Sequence, residues 1–262
     1  MSVLAGLLPL MALSACGDGG RPVWQGEASK AGAAAAAGYL TPPLVRAIKV
    51  GRAGLALVGT ATPGARIRLG APTGELRYAV ADNAGLWTIV IPPATELRLF
   101  GLSMTVGARS AQAEGYLAVT PDGRGAQLRA GAGSLVLSPP SRRPLILALD
   151  FDRDGAAMVS GVGAIDAEVG LRLDRTAAGS SSVDRLGRYS IALSRPMTST
   201  SHELEISGEG GEQVVMVDAG RPTPLGSPFR ARRVGKAWRI DWMTPGGGVQ
   251  STLLFDRLGV VD

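Results

Sequence analysis

Few side chains in this sequence could do chemistry, and their types and spacing narrow the choices at once. There is one cysteine, Cys16, and one histidine, His202. A protein zinc site draws on several Cys, His or carboxylate ligands, so this inventory does not supply one. A single thiol also excludes an intramolecular disulfide. A serine–histidine–aspartate triad would have to use His202, and no G-x-S-x-G elbow presents a nucleophile. Asp150-Phe151-Asp152-Arg153-Asp154-Gly155 sets carboxylates at alternate positions, as at the start of a calcium loop. The glutamate that closes such a loop is missing, and Gly161 stands in its place. Asp150, Asp152 and Asp154 are therefore half of a metal motif, and a strand running into a polar turn is the expected reading. Gly131-Ala132-Gly133 and Gly246-Gly247-Gly248 lack the GK[ST] ending of a phosphate loop and read as hairpin loops. No cofactor is implied, and the usual catalytic players are absent, so the expectation is a non-enzymatic protein.

A second constellation is aromatic and basic. In Trp238-Arg239-Ile240-Asp241-Trp242, a period of two puts Trp238, Ile240 and Trp242 on one face and Arg239 and Asp241 on the other. Arg232 and Arg233 lie just upstream. Exposed, the stripe beside these cations would suit an anionic glycan. Buried, it would seal a sandwich. Ile240 gains nothing from water and the charges mark the opposite face, so burial is the expectation.

The leader carries a third signal. Val3 to Ala15 is almost wholly apolar. It is shorter than the ~20 residues a spanning helix needs and fits the apolar core of a signal peptide. The run ends Leu13-Ser14-Ala15-Cys16, which resembles a bacterial lipobox. That resemblance implies that the Cys16 thiol accepts a diacylglyceryl group after export, and that the freed amine is acylated as well. Acyl chains contribute about 0.8 kcal/mol per buried CH₂, enough for lasting attachment when two or more are present. The n-region, Met1-Ser2, has no Lys or Arg and departs from the usual pattern. Gly17 rather than Asp follows the cysteine, which by the same resemblance favours the outer membrane.

These residues need elements to position them, and composition points to strands. Of 262 residues, 37 are Gly and 17 Pro, which punctuate helices rather than propagate them. The net charge of +5 rests almost entirely on arginine, since Lys30, Lys49 and Lys236 are the only lysines. No groove-reading motif accompanies it, so nucleic acid is not an expected partner.

Comparing the chain with itself supplies the architecture. Leu55 to Ile91 maps onto Ala157 to Leu193 at a constant offset of 102. Gly59 meets Gly161, Trp87 meets Tyr189, and His202 falls opposite Phe100, as an occupant of a strand position. Ile67-Arg68-Leu69, Trp87-Thr88-Ile89-Val90-Ile91 and their counterparts alternate at period two. Asp82-Asn83-Ala84-Gly85 and Asp184-Arg185-Leu186-Gly187 are turn sequences. Val58-Gly59-Thr60-Ala61-Thr62-Pro63-Gly64-Ala65-Arg66-Ile67 followed by the Asp82 turn and Trp87 resembles the bacterial Ig-like repeats of large adhesins. The second copy keeps Ser160-Gly161 and the Asp184 turn but lacks the Pro-Gly. A shorter echo, Ile48-x-Val50-x-Arg52-x-Gly54, recurs from Leu149 and again from Leu253.

The expected fold is all-β, with two tandem Ig-like antiparallel β-sandwich modules plus a C-terminal β-ribbon. The expected divisions are a signal peptide at 1–15, a tether at 16–43, modules at 44–142 and 143–222, and a ribbon at 223–262 that packs on the second module. The expected role is an envelope lipoprotein, membrane-attached through its N-terminal lipid, acting as a structural spacer or protein-interaction surface. The alternative is a glycan- or peptidoglycan-binding module using Trp238, Trp242, Arg232 and Arg233.

Overall fold

Strands follow from the alternation, and glycine-bearing turns set where they end. A computed structural model describes residues 39–198 and 200–256. The leader, Cys16 and almost all of the tether lie outside the described residues. The described chain is all-β, with twenty strands in four antiparallel sheets.

The N-terminal half has one sheet of β1 (Leu44–Gly51), β2 (Gly54–Thr60) and β5 (Leu86–Ile91), in the order β1-β2-β5. Its second sheet contains β3 (Arg66–Gly70), β4 (Leu76–Val80), β6 (Arg98–Val106), β7 (Arg109–Gln112), β8 (Tyr116–Val119), β9 (Gly125–Leu128) and β10 (Leu135–Val136). These run β10-β9-β8-β6-β3-β4, with β7 on the distal part of β6. The C-terminal half pairs β11 (Leu145–Phe151), β12 (Ala157–Val162), β15 (Arg188–Ala192), β18 (Phe229–Val234), β19 (Ala237–Met243) and β20 (Val249–Phe255) in the order β15-β12-β11-β20-β19-β18. Facing it are β13 (Glu168–Leu173), β14 (Thr176–Ser182), β16 (Ser201–Gly208) and β17 (Gly211–Asp218), ordered β14-β13-β16-β17.

The internal repeat is thus a repeat of strand order. β1-β2-β5 corresponds to β11-β12-β15, and β7-β6-β3-β4 to β17-β16-β13-β14. One contact explains its most regular pair of residues. Gly59 sits directly opposite Trp87, and Gly161 opposite Tyr189. A Cβ at Gly59 would lie 2.2 Å from the Trp87 ring, and one at Gly161 would lie 2.6 Å from the Tyr189 hydroxyl. Each aromatic lies flat over the bare backbone of its partner strand. The Tyr189 hydroxyl continues across to donate to the Leu145 carbonyl at 2.9 Å.

The turns repeat as well. Asp82 Oδ1 accepts from the N–H groups of Ala84 and Leu86, and Asp184 Oδ1 from those of Leu186 and Arg188. Asp152 does the same for Asp154 and Ala156. In each the fourth residue is glycine at positive φ (76°, 73° and 87°), which glycine adopts without steric cost.

Three apolar cores result. One lies inside the N-terminal half, around Leu57, Ile67, Trp87, Ile91 and Met104. A second lies inside the C-terminal half, around Leu149, Val159, Leu171, Tyr189 and Leu204. The third joins them: Leu99, Ala126, Leu128 and Val136 meet Leu147, Val162, Ile240, Trp242 and Leu254. The six-stranded sheet is therefore covered on both faces, which is why β11 reads as the continuous apolar run Leu145–Leu149 rather than as an alternation. The stretch 223–256 differs from a ribbon packed on a sandwich: β20 pairs edge to edge with β11, Leu253 opposite Leu149, so β18–β20 extend the sheet itself.

Candidate functional site

The aromatic stripe faces inward. Trp238 is 6% exposed, and Ile240 and Trp242 are fully covered by the third core. Tyr116 of β8 meets Trp242 edge-on, with ring centroids 5.9 Å apart. The stripe thus seals the joint between the halves rather than the inside of the second sandwich. No ring face is left for a sugar to stack on.

The opposite face departs from expectation. Arg239 and Asp241 are 4% and 1% exposed, and the segment that follows β17 approaches the Arg239 guanidinium at Gly220. Arg239 Nε donates to Asp241 Oδ1 at 2.8 Å, and its guanidinium lies 5.3 Å from the Phe151 ring centroid. Ser251 also donates to Asp241, and Arg230 reaches its other oxygen at 2.8 Å. Burial works against the charge, yet Ser251, Arg230 and Arg239 together hold the Asp241 carboxyl below its ordinary value.

Arg232 and Arg233 do not converge with the tryptophans into one site. Arg232 pairs in register with Arg239 and Arg233 with Trp238, so the two cations point to opposite faces of β18. Arg233 lies over the Trp238 ring at 5.6 Å and makes a two-pronged ion pair with Asp256 at 2.9 and 2.8 Å. That engagement leaves it a structural role at the sheet edge.

The three aspartates of the half calcium motif are separated because β11 ends at Phe151, which leaves Asp150 in the strand and Asp152 and Asp154 in the turn beyond it. Asp150 is buried and points into the third core, while Asp152 is held by its turn and Asp154 lies in the loop. Asp150 accepts from the Ser134 N–H at 2.6 Å, the Ser134 hydroxyl at 2.8 Å and the Thr252 hydroxyl at 2.5 Å. Trp242 Nε1 donates to Thr252 in turn, at 3.2 Å. Burial pushes the Asp150 carboxyl up despite these donors. The residue is a polar pin between β11, β20 and the approach to β10, a role with no local signature in the sequence. Among the described residues no cluster of His, Cys, Asp or Glu is placed to hold a metal ion.

His202 occupies β16 and is buried, with Nδ1 2.7 Å from Asp174 Oδ2. Asp174 sits in the two-residue turn between β13 and β14 and also accepts from the Glu203 N–H at 3.0 Å. The Glu203 N–H and His202 together hold the Asp174 carboxyl below its ordinary value. The pair anchors a turn.

One feature with room for a ligand went unforeseen. A groove of about 690 Å³ runs along β17, between that strand and the overhanging β18–β20. Val215, Val217, Ala237, Leu253 and Phe255 line it, with Arg143 and Lys236 among its polar residues. The sequence signal for it is slight: β17 alternates, but nothing local says that its neighbour on the outer side is missing.

Comparison with known proteins adds little to this geometry. No protein-family model matches the chain. No curated protein matches it either. Among solved structures it is similar to the central fibronectin-III array of RIM-binding protein, at 10% identity and a TM-score of 0.26, over 81% of this chain and 88% of that one. At that level of likeness, the fold rests on the strand pairing described above.

Proposed function

We propose that this protein is an envelope lipoprotein, attached through acylated Cys16 to the outer membrane, whose two Ig-like sandwich modules and C-terminal strands form a non-catalytic spacer with a protein-interaction surface. The observation that carries this reading is the third core. It makes the two sandwich-like halves continuous through Trp242, Ile240, Leu128 and Leu99, so the described residues from Leu40 to Asp256 form one compact unit rather than independent beads. A body of that kind holds its own surfaces at fixed distances from one another at the end of the tether. The glycan-binding alternative has less to support it, because both tryptophans are covered and the arginines diverge.

Attachment is tested at Cys16. The wild-type chain, expressed in a bacterium and fed labelled palmitate, is expected to take up label and to partition with membranes. Cys16→Ser is expected to persist as an unlabelled, uncleaved precursor. Equal labelling of the two would remove the lipid anchor from the proposal and leave the sandwich body without its membrane role.

A further inference from the structure

The two sheets of the C-terminal half are unequal: six strands face four. The mismatch falls at β17, which pairs with β16 and ends its sheet beneath the overhang of β18–β20. Backbone parity shows which groups that edge presents. The Glu203 carbonyl and N–H are both engaged on the β13 side, the carbonyl by the Asp174 N–H and the N–H by the Asp174 carboxylate. The opposed pair Glu203–Met216 is therefore a non-hydrogen-bonded pair of the β16–β17 ladder. By alternation, Glu212, Val214, Met216 and Asp218 turn their N–H and C=O groups toward the open edge.

Two of the other edges of this half are guarded. β14 is Ser-rich and its register shifts between Leu171 and Arg172 of its partner, and β18 carries Arg230, Arg232 and Arg233. Charges and irregularities of that kind discourage strand addition. β17 has no such irregularity and its charges, Glu212 and Asp218, lie only toward its ends: its register with β16 is unbroken from Gly211 to Asp218, and no Lys, Arg or Pro lies in it. Val214 and Met216 are 52% and 65% exposed on its outer face.

We propose that β17 and its groove bind an extended segment of a partner protein as a fifth strand. Main-chain hydrogen bonds to the open edge would supply affinity, and the alternating side chains would supply specificity. Inward-pointing side chains would enter the groove over Ala237, Leu253 and Phe255, so those positions are apolar; Arg143 and Lys236 at the groove argue against cations there. Outward-pointing side chains would lie beside Val214 and Met216, with Glu212 and Asp218 at the two ends. The fitting ligand is an alternating apolar strand with a cation at each end. A second copy of β17 fits poorly. Antiparallel pairing centred on Val215 would set Glu212 against Asp218 at both ends, and like charges directly opposite are destabilising.

The test uses the full chain and two dye-labelled peptides, Lys-Val-Thr-Val-Thr-Val-Lys and the same core with Glu at both ends, followed by fluorescence anisotropy. The Lys-ended peptide is expected to bind at least about tenfold more tightly. Met216→Pro removes an N–H that points to the open edge, so it spares the β16 ladder and is expected to abolish binding with circular dichroism unchanged. The double variant Glu212→Lys, Asp218→Lys is expected to invert the preference, which keeps the test decisive if the proline variant fails to fold. Binding of neither peptide, equal binding of both, or undiminished binding by a folded Met216→Pro would overturn the proposal. So would a concentration-dependent dimer that Met216→Pro dissolves, or peptide binding seen only when residues 257–262 are deleted. This inference does not depend on the lipid at Cys16, so either can fail alone.

Discussion

At the scale of single residues, the most consequential group is Asp241. Its carboxylate and the Arg239 guanidinium are both removed from water, and each is the other's buried counter-charge, with Ser251 and Arg230 completing the shell of Asp241. Removing one partner of such a pair costs about 3–5 kcal/mol, whereas replacing both with apolar residues of similar volume is often neutral. Asp241→Asn is therefore expected to lower unfolding free energy by ~3–5 kcal/mol near neutral pH, and Arg239→Met with Asp241→Leu to recover most of it. The pH dependence follows from the direction of the shift. A carboxyl whose folded pKa lies below its ordinary value stabilises the fold above that value and loses the contribution as pH falls through the folded one. Asp150 runs the other way, because its folded pKa is raised and its charge is disfavoured as pH rises. Subtracting the denaturation profile of Asp241→Asn from that of the wild type cancels Asp150 and the other carboxyls. The difference should be constant above the ordinary value of 3.8 and shrink below it. A difference that grows toward acid would show that Asp241 is not the ionised partner of Arg239.

Among the elements, the repeated device is a glycine facing an aromatic across a strand pair. Its spacing was legible in the sequence as two coincidences at one offset, Gly59 with Gly161 and Trp87 with Tyr189. What was not legible is that the members of each copy touch one another. The structure makes the glycine as necessary as the ring, since a Cβ would also come within 2.1 Å of the Leu44 carbonyl at Gly59 and 1.9 Å of the Leu145 carbonyl at Gly161. Trp87→Ala and Tyr189→Ala are expected to cost about 3–5 kcal/mol each through the cavities they leave. Gly59→Ala and Gly161→Ala are expected to be similarly damaging although they add one methyl group. Chemical denaturation of the four variants checks this, and a Gly161→Ala variant as stable as wild type would mean that Tyr189 does not lie on the β12 backbone.

For the whole molecule, the third core decides how the halves behave together. Trp242 is fully covered by residues of both halves and is tied through Thr252 to Asp150, which Ser134 reaches from the N-terminal half. The described body should therefore melt in one calorimetric transition. Trp242→Ala removes the largest side chain of the joint and is expected to lower the transition and broaden or split it into two. Leu171→Ala, inside the second core, should lower the melting temperature without splitting. Two separate transitions in the wild type would show that the joint contributes little.

Local spacing determined a good deal of this. The β character, the strand alternation and the Asp-x-x-Gly turns are properties of neighbouring side chains, set by geometry that repeats every two to four residues, and the hundred-residue repeat is those local patterns recurring at one offset. Tertiary structure alone decided what covers each face. The alternation of Trp238, Ile240 and Trp242 marks them as one face, but pairing of β20 with β11 and packing of β8–β10 above them determine that this face is the joint. The same pairing buries Arg239 and Asp241 instead of exposing them, and turns Asp150 from a metal ligand candidate into a pin bonded to Thr252, 102 residues away. The open side of β17 has the same origin. Whether a strand has one neighbour or two depends on where distant segments close the sheet, and that is a matter of long-range pairing on which local periodicity is silent.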